Sequence, residues 1–192
     1  AEQSQPVELR FPDVIPQDLL ALGNKDPEIE GFVDPEDVSK KRAGIYIGDD
    51  LVGFMTPRKE PDGGWRVGAI YIRPENRGKG IAPSAIAKFF EDKDASPVPI
   101  GLTNSSSQSA FAKAGFALLD PDKVLTDESD GWKYQLWGRK NAKRSTAVII
   151  KGNPDYISDH NDFYEEVKSF LEGLGYEVSF DEGAPMTSPP KA

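Results

Sequence analysis

The chain has 192 residues, with 23 Lys and Arg against 32 Asp and Glu, a net charge of −9 and no Cys. That length can bury a sizeable core and fits one domain, or one domain with an appendage. The acidic balance disfavours a broad basic face for nucleic acid, and the missing Cys removes disulfides, thiolate metal sites and a cysteine nucleophile.

At 38% hydrophobic, with ten Phe, three Trp and six Tyr, the composition is globular rather than disordered. No apolar run approaches the ~20 residues of a membrane helix, and Ala1–Gln5 lacks a basic-then-apolar signal. The chain is read as cytoplasmic, with no membrane or nucleic-acid partner and no metal site.

Val7 to Phe11 alternates apolar and polar and predicts an opening strand. Pro16 to Leu22 predicts a helix. Asp34-Pro35-Glu36-Asp37 predicts the start of a second, short one, with an Asp N-cap and Pro at the first position. Gly44–Gly48 and Leu51–Met55 read as two strands joined at Asp49-Asp50, and Pro61-Asp62-Gly63-Gly64 makes the next turn.

The stretch from Val67 to Lys93 organises the chain. Val67, Ile70, Tyr71 and Ile72 form a β-branched, apolar strand, which Arg73-Pro74-Glu75-Asn76 breaks. Arg77-Gly78-Lys79-Gly80-Ile81-Ala82 follows, and then Ile81, Ala85, Ile86 and Phe89 recur at helical spacing. A helix N-terminus leaves backbone N–H groups unpaired and carries partial positive charge, so a strand, glycine turn and helix in this order fit a phosphate cradle. The turn lacks the Gly-Lys-Ser/Thr of a P-loop and the Gly-x-Gly-x-x-Gly of dinucleotide folds. A solvated basic turn between two core elements explains it equally well.

Downstream, Pro97–Leu102 predicts a strand, Asn104 a turn, and Gln108–Ala114 a helix ending in Gly115-Phe116. Asp120–Gly131 reads as an acidic surface loop, and Trp132, Tyr134 and Leu136 alternate in a late strand. From Ser145 the pattern changes. Thr146–Ile150 is a strand, Phe163, Val167, Phe170, Leu171 and Leu174 form a helical stripe, Tyr176–Phe180 is a further strand, and 181–192 is an irregular tail.

Arg77-x-x-Gly80-x-Ala82 at a strand-to-helix junction resembles the acetyl-coenzyme A signature of the GCN5-related N-acetyltransferase (GNAT) superfamily, Arg/Gln-x-x-Gly-x-Gly/Ala. Asn104 followed by a short helix and Gly115-Phe116 resembles the second motif of that family. The two matches span about 65–116 and, more loosely, 6–140. The resemblance implies an α/β fold (α+β in some schemes), with a mixed central β-sheet flanked by helices in a domain spanning 1–142. Residues 143–192 would then be a strand-helix-strand extension that docks on the first domain or on a neighbouring chain, through which the protein could form a homo-oligomer.

The resemblance also implies a function, transfer of an acetyl or other acyl group from coenzyme A to a primary amine by direct attack. The acceptor would be a small molecule or a protein, and the acidic surface favours a cationic one. Ile70, Tyr71 and Ile72 would offer main-chain hydrogen bonds to the pantetheine arm. Arg77, Gly78, Lys79, Gly80, Ile81 and Ala82 would hold the pyrophosphate, with Ser84 in reach. Asn104, Ser107 and Phe111 complete the expected coenzyme contacts, Ser107 serving equally as a helix cap.

One departure stands out. The family often places a Tyr acid where this chain has Phe111. The remaining candidate acids are Tyr46, Tyr71, Tyr134 and Ser105–Ser107, of which Tyr134, Tyr46 and Ser107 are the catalytic candidates, or water. Glu30, Asp34 and Glu60 are candidate bases, each also readable as a surface charge, and Phe32 and Val33 are candidate cleft residues. His160 lies outside the matched region and is excluded as the base. The alternative reading is a GNAT-fold module with weakened catalysis that binds coenzyme A or a protein.

Overall fold

The computed structural model describes residues 6–27, 29, 33–60, 63–128, 131–139, 147–151 and 161–181. The chain divides into two compact units, one of Ala1–Lys59, Trp65–Lys93 and Ser106–Gly115, the other of Glu60–Gly64, Asp94–Ser105 and Phe116–Ala192. Compactness is a different criterion from the change of residue pattern that separates 1–142 from 143–192.

The first unit contains β1 (Val7–Asp13), α1 (Gln17–Asn24), β2 (Arg42–Ile47), β3 (Asp50–Lys59), β4 (Trp65–Ile72), α2 (Ile81–Phe89) and most of α3 (Ser105–Lys113). Its four strands form an antiparallel sheet in the order β1-β2-β3-β4, so β4 is an edge strand. Ile47 pairs with Asp50, which leaves Gly48-Asp49 as a two-residue hairpin loop with Gly48 at φ 59°.

Alternation along the strands puts Phe54, Ala69 and Tyr71 into a buried cluster with Ile15, Leu19, Leu20, Ile29 and Val33. Helix α1 therefore covers this face with Leu19 and Leu20, while Leu22 is exposed. Helix α2 packs against β1 and β4. Beneath its C-terminal end the rings of Phe11, Trp65 and Phe89 meet edge to face, at centroid separations of 5.6 to 5.8 Å. Phe11 and Trp65 belong to opposite edges of the sheet, three strand spacings or about 14 Å apart in a flat sheet. Their contact means that this end of the sheet is strongly coiled.

The second unit contains β5 (Val98–Gly101), β6 (Phe116–Leu118), β7 (Leu125–Asp127), β8 (Trp132–Arg139), β9 (Ala147–Lys151), α4 (Asn161–Gly173) and β10 (Glu177–Asp181). Strand β8 is antiparallel to β5, β6 and β7, and β9 is parallel to β10 in a separate pair. Leu171 and Val178 are buried with Leu125, Tyr134 and Leu136, and Val167 and Phe170 pack on the same cluster. Val167, Phe170 and Leu171 of the stripe on α4 thus pack with residues of β7 and β8.

The expected α/β architecture is present, with β1 to β8 shared between two sheets rather than one and β9 and β10 paired in a third. Two local expectations fail. Residues 33–41 form turns and no helix. Asp34 accepts a hydrogen bond from the Glu36 amide (3.0 Å), while the buried Arg42 Nη1 donates to the carbonyls of Asp37 (3.0 Å) and Lys40 (3.2 Å). A side chain takes the carbonyls that a following helical turn would have used, which suits an Asp-rich segment with little apolar surface. Burial pulls the Arg42 guanidinium below its ordinary pKa, with Asp37 and Asp34 opposing. Within 120–131, Leu125 and Asp127 are buried and form β7, because Leu125 fills the second core. Among the described residues no helix is long and apolar enough to cross a membrane.

Candidate functional site

The phase of β4 follows from one bond. The Arg73 amide donates to the Val52 carbonyl (2.8 Å), and Phe54 stands opposite Tyr71. In an antiparallel pair, hydrogen-bonded residues alternate with non-bonded ones. Tyr71 therefore directs its main-chain groups at β3, while Ile70 and Ile72 direct theirs away, at the open edge. Of the three residues expected to offer main-chain contacts, the alternation gives two an outward pair. Tyr71 instead contributes its ring, which is 5% exposed and lies 5.9 Å from Phe54.

Beyond Ile72 the chain makes a 3-10 turn, Pro74–Asn76, and then the glycine-rich segment, whose residues 77–80 are all exposed. Gly78 and Gly80 have φ of +77° and +74°, a region that L side chains avoid by about 1–2 kcal/mol. A Cβ at either would meet nothing within 4 Å. Backbone conformation, and not crowding within the chain, is what requires glycine here.

Gly80 is the N-cap of α2 and supplies no side-chain cap. The Ser84 amide donates to the Gly80 carbonyl (3.3 Å), and Pro83 has no N–H. Helix geometry leaves the Ile81 and Ala82 amides without a carbonyl four residues back. The first turn of α2 holds no acidic residue, so no carboxylate of its own competes for its positive end. Lys79 is exposed beside it.

Arg77 does not swing free there. Its Nε donates to the Ile72 carbonyl (2.9 Å), its Nη2 lies 3.8 Å from Asp26 Oδ2, and its guanidinium carbon is 5.4 Å from the Tyr71 ring centroid. Arg73 is held likewise, with Nε on the Leu51 carbonyl (3.0 Å). The resemblance implies a pyrophosphate contact for Arg77. The pairing with Asp26 has no sequence signal beyond an acid near the end of α1.

The remaining candidates are divided between the two units. Phe111 is buried on α3 in the first unit, four residues before Gly115, whose φ is +97°. Ser107 lies within α3, not at its N-cap, because the helix already begins at Ser105. Asn104 immediately precedes α3, and its amide donates to the Gly101 carbonyl (3.1 Å). Tyr134 is 1% exposed in the second unit's core, with its ring stacked on Trp132 at 4.4 Å. Glu60 is 7% exposed and so no surface charge, whereas Asp34 is exposed. Glu30, Phe32 and His160 lie outside the described residues.

The Tyr46 hydroxyl donates to Asp13 Oδ2 (2.8 Å), and the Arg10 guanidinium lies 3.9 Å from its ring centroid. Burial, and then Asp13, raise its pKa above the ordinary phenol value. A raised phenol contributes stability in full below its unfolded pKa of about 10, and loses it as pH rises through the folded value. Above pH ~10 the wild type should lose stability more steeply than Tyr46→Phe in denaturant melts. Parallel curves would mean that the hydroxyl is not held in this way.

No protein-family model matches the chain, and no curated protein matches it. Solved structures do. An acetyltransferase of the GNAT family from Bacillus anthracis superposes with a TM-score of 0.54 at 14% identity, over 71% of this chain and 95% of its own. A Bacillus subtilis acetyltransferase in complex with CoA gives 0.50 at 16% identity, over 70% and 97%. A chimera of the Vibrio cholerae spermidine N-acetyltransferase SpeG and hSSAT gives 0.50 at 14%, over 70% and 95%. The fold is therefore that of GNAT acetyltransferases, and each neighbour is matched over nearly its whole length.

Proposed function

We propose that the chain is a coenzyme A-dependent N-acyltransferase that moves an acetyl or other acyl group to a primary amine. The observation that carries this reading is the junction from β4 to α2. One strand edge presents the main-chain groups of Ile70 and the amide of Ile72, whose carbonyl already accepts from Arg77, and it leads into a helix N-terminus made accessible by two glycines in the left-handed region. The residues present fit the coenzyme, because uncapped amides, an adjacent lysine and a first helical turn without a carboxylate suit a pyrophosphate.

The amides of Gly78–Ala82, with Lys79 and Ser84, would hold that pyrophosphate, and Ile70 and Ile72 would align the pantetheine arm. When bound, acyl-coenzyme A supplies the activated thioester carbonyl. The protein's part is then mostly placement of the amine against it. A protonated amine must first lose a proton to a carboxylate or water.

The acceptor's charge has support in the segment 13–37. It carries Asp13, Asp18, Asp26, Glu28, Glu30, Asp34, Glu36 and Asp37 against Lys25 alone. A cationic amine is favoured next to such a segment. Spermidine, named for one neighbour, belongs to that class.

Phe111 supports a second reading, a module that binds the coenzyme with weakened catalysis, since a general acid commonly contributes ~10²–10⁴-fold. Thiol release from acetyl-coenzyme A with polyamines, aminoglycosides, amino acids and lysine peptides separates the two. Turnover with at least one amine is the expected outcome, and release that no amine accelerates would leave the binding module. In an active protein Phe111→Tyr should leave the rate unchanged or raise it. A large loss with coenzyme binding intact would mean that the apolar contact of Phe111 is essential.

A further inference from the structure

The Arg77 side chain bends back from the glycine turn onto the edge of β4. Its Nε donates to the Ile72 carbonyl (2.9 Å), one of the outward groups of that edge, and the rest of the guanidinium lies between the Tyr71 ring and Asp26. Asp26 follows α1, in the stretch that leads to Ile29 and Val33, and both of these share a buried cluster with Tyr71. One side chain thus touches the strand, the cradle turn and the segment after α1. All three lie in the first compact unit.

We propose that Arg77 is a positioning residue, a strap that fixes the glycine turn to the edge of β4, and not a ligand of the coenzyme phosphates. The proposal rests on the coenzyme reading above but reassigns this residue within it. A guanidinium suits the task, because its planar fork donates to a carbonyl, faces a carboxylate and stacks on a ring at once. Lysine keeps the charge but has no Nε–H in that plane. A strap is lost alike on changing Arg77 to Lys or Gln, whereas a phosphate ligand is rescued by Lys. Lys79, exposed and beside the same amides, is the charge left for the phosphates.

The test uses the full chain with Arg77→Lys, Arg77→Gln and Lys79→Gln. Backbone 15N order parameters at 78–82 are read without coenzyme, and acetyl-coenzyme A affinity is read by calorimetry at several salt concentrations. In both Arg77 variants the order parameters at 78–82 should fall from about 0.85 toward about 0.6, with melting temperature little changed, and both should lose about tenfold in affinity, equally for Lys and Gln, as expected for one charge-assisted hydrogen bond. Their salt dependence should match wild type, while Lys79→Gln should flatten it. The proposal is overturned if Arg77→Lys binds like wild type, if Arg77→Gln flattens the salt dependence, or if the order parameters at 78–82 are unchanged. Should wild type bind no coenzyme at all, the functional reading fails, and the order parameters alone still decide whether the strap exists.

Discussion

Gly80→Glu is expected to abolish acetyl-coenzyme A binding in calorimetry, a loss of more than about 100-fold, while the protein stays folded. The variant acts in two ways. It forces a side chain into a backbone at φ +74°, at a cost of about 1–2 kcal/mol. It also places a carboxylate where the pyrophosphate would approach the uncapped amides of α2. Fold loss is limited because the added side chain has open space, and an acid at a helix N-terminus returns about 0.3–1 kcal/mol. Gly80→Ala carries the backbone strain without the charge and should lose about tenfold or less. Equal affinity in wild type and Gly80→Glu would remove the cradle assignment.

Ending the chain after Asn141 is expected to give a product that aggregates or changes oligomeric state in sedimentation. That product lacks Leu171 and Val178, both buried, and uncovers Leu125, Tyr134 and Leu136. Each lost apolar contact of this size is worth about 1.5–3 kcal/mol. The milder Leu171→Ala should lower unfolding free energy by about 2–5 kcal/mol in a denaturant titration. Coenzyme affinity of any soluble truncated product should stay within a few-fold, since the proposed cradle residues belong to the first unit. A truncated protein that remains soluble and unchanged in size, yet no longer binds acetyl-coenzyme A, would place the C-terminal segment in the site.

Much of this fold is legible in the sequence where pattern and packing agree. Residues 65–89 read as strand, turn and helix because a β-branched run, a proline and an apolar stripe at helical spacing each select one geometry. The β9, α4, β10 order is legible for the same reason. The turn at 33–41 is not, since its conformation is set by Arg42, whose burial depends on contacts distant from that segment's own pattern. Strand β7 is hidden because only Leu125 marks it, in acidic surroundings.

The site divides along the same line. Gly78 and Gly80 are legible because left-handed backbone nearly requires glycine. The role of Arg77 is not, because a guanidinium beside glycines reads as a phosphate contact until its acceptor on Ile72 is seen. Tyr46 and Tyr134 show the limit for aromatic acids. Sequence marks a hydroxyl, while the fold commits one to Asp13 and buries the other.

The placement of α4 and β10 also bears on synthesis. Strands β7 and β8 leave the ribosome well before the helix that packs on them, and their shared core stays open until Leu171 and Val178 emerge. The first four strands and α1, by contrast, assemble from contiguous early sequence. During translation the nascent chain therefore holds a finished early sheet and an unfinished later one. For that interval Leu125, Tyr134 and Leu136 are the surface a chaperone would meet.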